Sequence, residues 1–147
     1  MDEMTKKVRK ILMKEGLMPT NCDSGLNFKF QMLDYAFRRD EDDNQFVTFV
    51  IPGIFDVKEE QIVEAFYAIN TINTSIKYVK AIVYNAEVWL TFEHYYDEAV
   101  DLKDLVMTAI AALYAAYHKF ADLLEDEKEE TSPSGEFPTL PADTIAC

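Results

Sequence analysis

The stretch Leu26-Asn27-Phe28-Lys29-Phe30-Gln31-Met32 alternates apolar and polar side chains without a break. Period two is the signature of a strand with one face on a core and the other in water. Leu33-Asp34 interrupts the pattern, and Tyr35 and Phe37 then resume it against Ala36 and Arg38. The polar run Asp40-Glu41-Asp42-Asp43-Asn44 reads as a hairpin tip. Beyond it, Phe46-Val47-Thr48-Phe49-Val50-Ile51 is apolar almost throughout, as expected of a strand that is central in its sheet or covered on both faces. Pro52-Gly53 is expected to stop it.

Outward from these three strands the period changes. Upstream, Met4, Val8, Ile11 and Leu12 fall on one helical stripe that predicts a helix over residues 2–15, ended by Gly16. Its cluster Lys6, Lys7, Arg9, Lys10 and Lys14 reads as a solvated helix face. Residues 17–25 read as a loop. Downstream, Asp56 with Glu59 three residues on suggests a capped helix over 57–72, with Ile62, Phe66, Ile69 and Asn73 on its stripe. Two further strands are predicted, 76–84 and 87–94, joined at Tyr84-Asn85-Ala86-Glu87. In the second, Val88, Leu90 and Phe92 oppose Trp89, Thr91 and Glu93. Asp101 caps a last helix, 102–124, whose alanine-rich middle allows close approach of another element. The order α-β-β-β-α-β-β-α predicts an α+β fold, an antiparallel sheet covered by helices. Residues 1–125 are expected to form one domain, and 126–147 an acidic tail containing Pro133, Pro138 and Pro141.

Composition narrows the chemistry. The 147 residues carry a formal net charge of −13, which repels phosphate backbones and anionic lipids, so neither nucleic acid nor a membrane is expected as partner. With only 4 Gly, a glycine-rich phosphate loop has little room to occur, and neither GxGxxG nor GxxxxGK[ST] is present. The two cysteines, Cys22 and Cys147, form no disulfide framework, and their surroundings lack zinc-ligand spacing. His94 and His118 read as surface or cap histidines. Asp40, Asp42 and Asn44 mimic the first oxygens of a calcium loop, but Gln45 stands where glycine is needed and Ile51 where a bidentate glutamate is needed. Glu93 is the best candidate for acid–base work, against an exposed strand carboxylate as the simpler reading. No catalytic residue, cofactor or metal is expected, and the cytoplasm is the expected location.

Four residues stand out as candidate partner contacts: Asn70, Asn73, Tyr78 and Trp89. Asparagines three apart share a face at the end of the second helix. The simpler reading makes Asn73 a C-cap and has Asn70 bond neighbouring backbone.

The strand Phe46 to Ile51, the helix end Asn70-Thr71-Ile72-Asn73, the following Lys77-Tyr78-Val79-Lys80, the hairpin to Val88-Trp89-Leu90 and the helix from Asp101-Leu102 to Phe120 together resemble the YbjN-like family, with the fold of type III secretion chaperones. The resemblance spans about residues 26–124. It implies a helix-covered antiparallel sheet that often dimerises and binds protein segments, with no cofactor and no catalytic residues. The expectation is therefore a non-catalytic protein-interaction module, chaperone-like or regulatory, acting as a homodimer. The alternative is a small-molecule-binding or enzymatic domain whose pocket, between sheet and helix, is lined by Tyr78, Trp89 and Glu93.

Overall fold

The computed structural model describes residues 1–40 and 42–130 of the chain, with side chains left out at 43, 44 and 126–130. The elements are α1 (Glu3–Lys14), β1 (Thr20–Cys22), β2 (Gly25–Phe30), β3 (Leu33–Asp40), β4 (Asp43–Asp56), a 3-10 turn (Glu59–Gln61), α2 (Ile62–Ser75), β5 (Val79–Tyr84), β6 (Glu87–Tyr95) and α3 (Leu102–Glu130). The strands form one six-stranded sheet in the order β1-β2-β3-β4-β6-β5, with every neighbouring pair antiparallel. This is the expected α+β architecture, with one short strand added in the segment read as a loop.

One row of side chains explains why the layers close. Leu26 faces Phe37, Phe37 faces Phe49, Phe49 faces Phe92, and Phe92 faces Val79, so five strands present apolar groups at one level of one face. All five residues are buried. From the helix layer Val8 and Leu12 of α1, Ile72 of α2, and Val106, Ile110 and Leu113 of α3 meet them. Burying each such side chain contributes about 1.5–3 kcal/mol. The Tyr35 hydroxyl donates to the Ile110 carbonyl at 3.0 Å across the layers, and burial pushes its phenol well above the ordinary tyrosine range.

The opposite sheet face carries rows such as Arg38-Thr48-Glu93 and Ala36-Val50-Thr91-Lys80, while the buried residues of all three described helices join the core on the first face. β4 is therefore apolar because it is central, between β3 and β6, rather than sandwiched between helices. Its Pro52-Gly53 does not end it. The β4–β6 register shifts between Ile51 and Phe55, and β4 resumes with Phe55 against Val88 and Asp56 against Glu87. An irregularity of this kind absorbs a proline and a left-handed glycine (Gly53, φ +56°) that a regular ladder would reject.

Three other expectations need correction. Met32 does not continue β2: Gln31 and Met32 both have positive φ (50° and 68°) and form the tight tip between β2 and β3. Asp56 does not cap α2, because it belongs to β4; α2 starts after the 3-10 turn without a side-chain cap. β5 begins at Val79, not residue 76, since α2 runs on to Ser75. At the termini of the helix layer the reading was closer. α1 starts one residue later than expected, with Asp2 as its cap accepting from Thr5 N at 2.7 Å, and Asp101 caps α3 as expected, accepting from Asp104 N at 3.1 Å. α3 continues through Glu130, six residues past the expected Leu124. Of the expected tail, residues 131–147, including Cys147 and the three prolines, lie outside the described residues, as does Glu41 of the acidic hairpin tip.

Candidate functional site

The most informative region is the outer edge of β5 and the helix beside it. β5 is a sheet edge, and α2, which leads into it through the turn at residues 76–78, packs beside it. Tyr84 and Glu87 flank a two-residue hairpin tip, Asn85-Ala86, with φ of 51° and 59°. In such a hairpin the flanking pair exchanges both hydrogen bonds, so Tyr84, Ile82 and Lys80 direct their main chain toward β6. Val79, Ala81 and Val83 then direct theirs outward.

Asn73 reaches that outward edge. Its Oδ1 accepts from Ala81 N at 2.7 Å and its Nδ2 donates to Ala81 O at 3.2 Å. One carboxamide thus makes the two bonds a neighbouring strand would make to Ala81. The helix C-cap is Ile76, not Asn73. The side chain that the sequence pattern suggested as a cap is a latch on the sheet edge, which limits strand addition at the middle of β5. The partner, Ala81, lies in the strand that follows Asn73 directly, and sequence spacing alone does not reveal the pairing.

The same face of α2 carries Phe66 two turns before Asn73, with Ile62 a turn earlier. The expected burial of these two is not found. Ile62 is 41% exposed and Phe66 51%, while Ala65, Ala68, Ile69 and Ile72 form the buried stripe. Val63 is 56% exposed. α2 packs beside β5, and Val83 of that strand is itself an exposed side chain. Around the edge on the open sheet face, Ile82 and Tyr84 are also exposed, and the Tyr84 ring stands edge-on to Trp89 at 5.4 Å. The Trp89 indole N–H is buried and has no acceptor among the described residues.

The four candidate contacts are not one cluster. Asn70 is half-buried, and its carbonyl accepts from the Thr74 hydroxyl. Asn73 is engaged with Ala81. Tyr78, at φ 67° and 60% exposed, packs beside His94 and Phe92 with ring centroids 5.0 and 6.0 Å away. Trp89 lies at the other end of β6 on the open face. Tyr78, Asn73 and Glu93 line a solvent-open groove of about 660 Å³ that also includes Phe46 and Lys80, and Trp89 is not part of it. Glu93 accepts from Lys80 at 3.4 Å as an exposed cross-strand pair. The space between sheet and helices is occupied by the core side chains. Among the described residues, Tyr78, Trp89 and Glu93 do not line one pocket between sheet and helix.

Other groups singled out in the sequence take structural places. The His94 Nδ1 lies 2.6 Å from the Tyr95 carbonyl oxygen, and His118 sits on the exposed side of α3 against Tyr114. Asp40 accepts from Asp42 N at 2.9 Å within its turn. Among the described residues no group of three or more His, Cys, Asp or Glu side chains converges as a metal site would require, and no helix is long and apolar enough to cross a membrane. Cys22 is a free thiol, 3.2 Å from Arg38 Nη1, a guanidinium that also donates to Leu26 O and Asn27 Oδ1.

No family model matches the chain, and no curated protein does. Solved structures do. A protein of uncharacterised function from Methanothermobacter thermautotrophicus superposes with a TM-score of 0.64 at 12% identity, over 84% of this chain and 98% of that one. YbjN from E. coli, a candidate transcription regulator, superposes with a TM-score of 0.59 at 13% identity, over 85% of this chain and 92% of that one. The fold is that of YbjN. At these identities the likeness concerns architecture, and it agrees with the resemblance carried by the strand, helix-end and hairpin motifs. Within this fold the Asn73 latch lies at the outer edge of the sheet.

Proposed function

We propose that this chain is a non-catalytic protein-interaction module, regulatory or chaperone-like, that works as a homodimer in the cytoplasm. The observation that carries the reading is the exposure of Ile62, Val63 and Phe66 on a helix whose other apolar residues complete a filled core. Large apolar groups grouped beside a sheet edge are the ordinary material of a protein interface. The acidic surface supports a protein partner over nucleic acid or lipid.

For self-association the reading favours the outer face of α3. Ala111 and Ala115 are exposed there one turn apart, and small side chains allow two helix backbones to approach closely. Light scattering on the full chain after size exclusion is expected to give twice the 16.9 kDa chain mass. Ala115→Arg is expected to halve that mass while leaving the far-UV circular dichroism unchanged. A wild-type monomer at high micromolar concentration would sink the homodimer.

A further inference from the structure

The exposed strip formed by α2 and β5 has a charged border, and the border indicates what covers it. Val57 N donates to Ala86 O at 2.8 Å, which brings the segment entering α2 against the β5–β6 hairpin tip. Asp56 and Glu87 stand directly opposite each other in the β4–β6 ladder, a like-charge pairing that costs stability. Glu59 and Glu60 follow in the 3-10 turn at the start of α2. Among the described residues none of these four carboxylates has an ion-pair partner, and Lys58 is the one basic residue between Asp56 and Ser75. An apolar strip is thus rimmed by unneutralised negative charge.

Resting on the interaction-module reading, we propose that the strip of Ile62, Val63, Phe66 and Val83 docks a basic polypeptide segment, one with two or three large apolar side chains flanked by Lys or Arg. Apolar groups fill the strip beside Phe66, and the cations neutralise Asp56, Glu59, Glu60 and Glu87. A second copy of this chain is the poorer occupant. It would bring an identical acidic rim against this one, on a molecule already at net charge −13.

The test uses the full chain and fluorescently labelled synthetic 20-residue peptides. One combines Leu and Lys at helical spacing, one has Ser for every Leu, and one has Glu for every Lys. Anisotropy is expected to show saturable binding of the Leu/Lys peptide, about tenfold weaker binding of the Ser/Lys peptide, and none of the Leu/Glu peptide. Phe66→Asp and, independently, Val63→Asp are each expected to weaken Leu/Lys binding about tenfold or more. Glu59→Lys combined with Glu87→Lys is expected to do the same and to flatten the salt dependence. Equal affinity for the Ser/Lys and Leu/Lys peptides, or unchanged affinity in both Asp variants, overturns the proposal. Conversion of the dimer to a monomer by Phe66→Asp also overturns it, because the occupant is then a second copy, and the interaction-module reading stands. Absence of peptide binding with the dimer intact removes this inference alone. Absence of both removes the broader reading as well.

Discussion

Asn73 shows how much one side chain can decide. A β-edge attracts other edges, and the usual defences are charges, prolines and short strands. β1, at the far side of the sheet, is three residues long. At β5 the defence is the paired amide bonds to Ala81. Asn73→Ala frees both backbone groups, and urea denaturation is expected to register a loss of about 1–3 kcal/mol. Light scattering at high concentration is expected to show aggregates that the wild type lacks. Gly25 is equally constrained, by space. A Cβ there would run into the Phe37 carbonyl oxygen of the paired strand, so Gly25→Ala is expected to prevent close β2–β3 pairing. Asp2 both caps α1 and accepts from Arg39 Nε at 3.0 Å, tying α1 to β3. Burial alone would raise its pKa, but the Thr5 hydrogen bonds and the Arg39 guanidinium outweigh that and hold it below the usual aspartate value. A carboxyl depressed on folding stabilises the protein above its unfolded pKa and ceases to do so as pH falls through the folded one. Thermal melts between pH 5 and pH 2 are therefore expected to show an acid-dependent loss that is smaller in Asp2→Asn.

At the scale of elements, the hairpins separate what could be read in the sequence from what could not. The β5–β6 tip was legible because Asn85 tolerates a left-handed backbone between two alternating runs. The β2–β3 tip was not, because Gln31-Met32 carries no turn residue, and Met32 continued the alternation by accident of type. Met32 makes the point energetically: it is 95% exposed at φ 68°, so it bears left-handed strain without compensating contacts. Met32→Gly is expected to stabilise the protein by about 1 kcal/mol, seen as a rise in Tm. The α2 stripe was misread for a related reason. Ile62 and Phe66 fit the helical period as well as Ala65 and Ala68 do, and hydrophobicity favours the larger residues. Burial was decided instead by which side of α2 meets α3 and β5, the side that carries Ala65, Ala68, Ile69 and Ile72. The period identified the helix, and the packing chose its face.

For the whole molecule, fold class and element order were legible because strand and helix periods alternate cleanly and the core residues carry them. The candidate site was legible only in part. Tyr78 and Trp89 are exposed or half-exposed, as partner contacts must be, but they lie at opposite ends of β6. Of the exposed residues that matter most in the interface reading, Ile62 and Phe66 looked like core, and Val63 did not stand out. The charge of −13 also acts on the molecule as a whole, because self-repulsion opposes compaction. Raising NaCl from about 10 to about 300 mM, where the Debye length shrinks from roughly 30 to below 8 Å, is expected to raise Tm, measured by scanning calorimetry.

The bond pattern at Ala81 also sets how the molecule ages. Hydrolysis of the Asn73 amide to an acid would leave an oxygen where Nδ2 now donates, 3.2 Å from the Ala81 carbonyl. An ionised carboxylate accepts but cannot donate. Two oxygens would then face each other and part, unlatching β5. One hydrolysed bond, with no change in chain length, would turn a sheet that stops at its own border into one that can be extended.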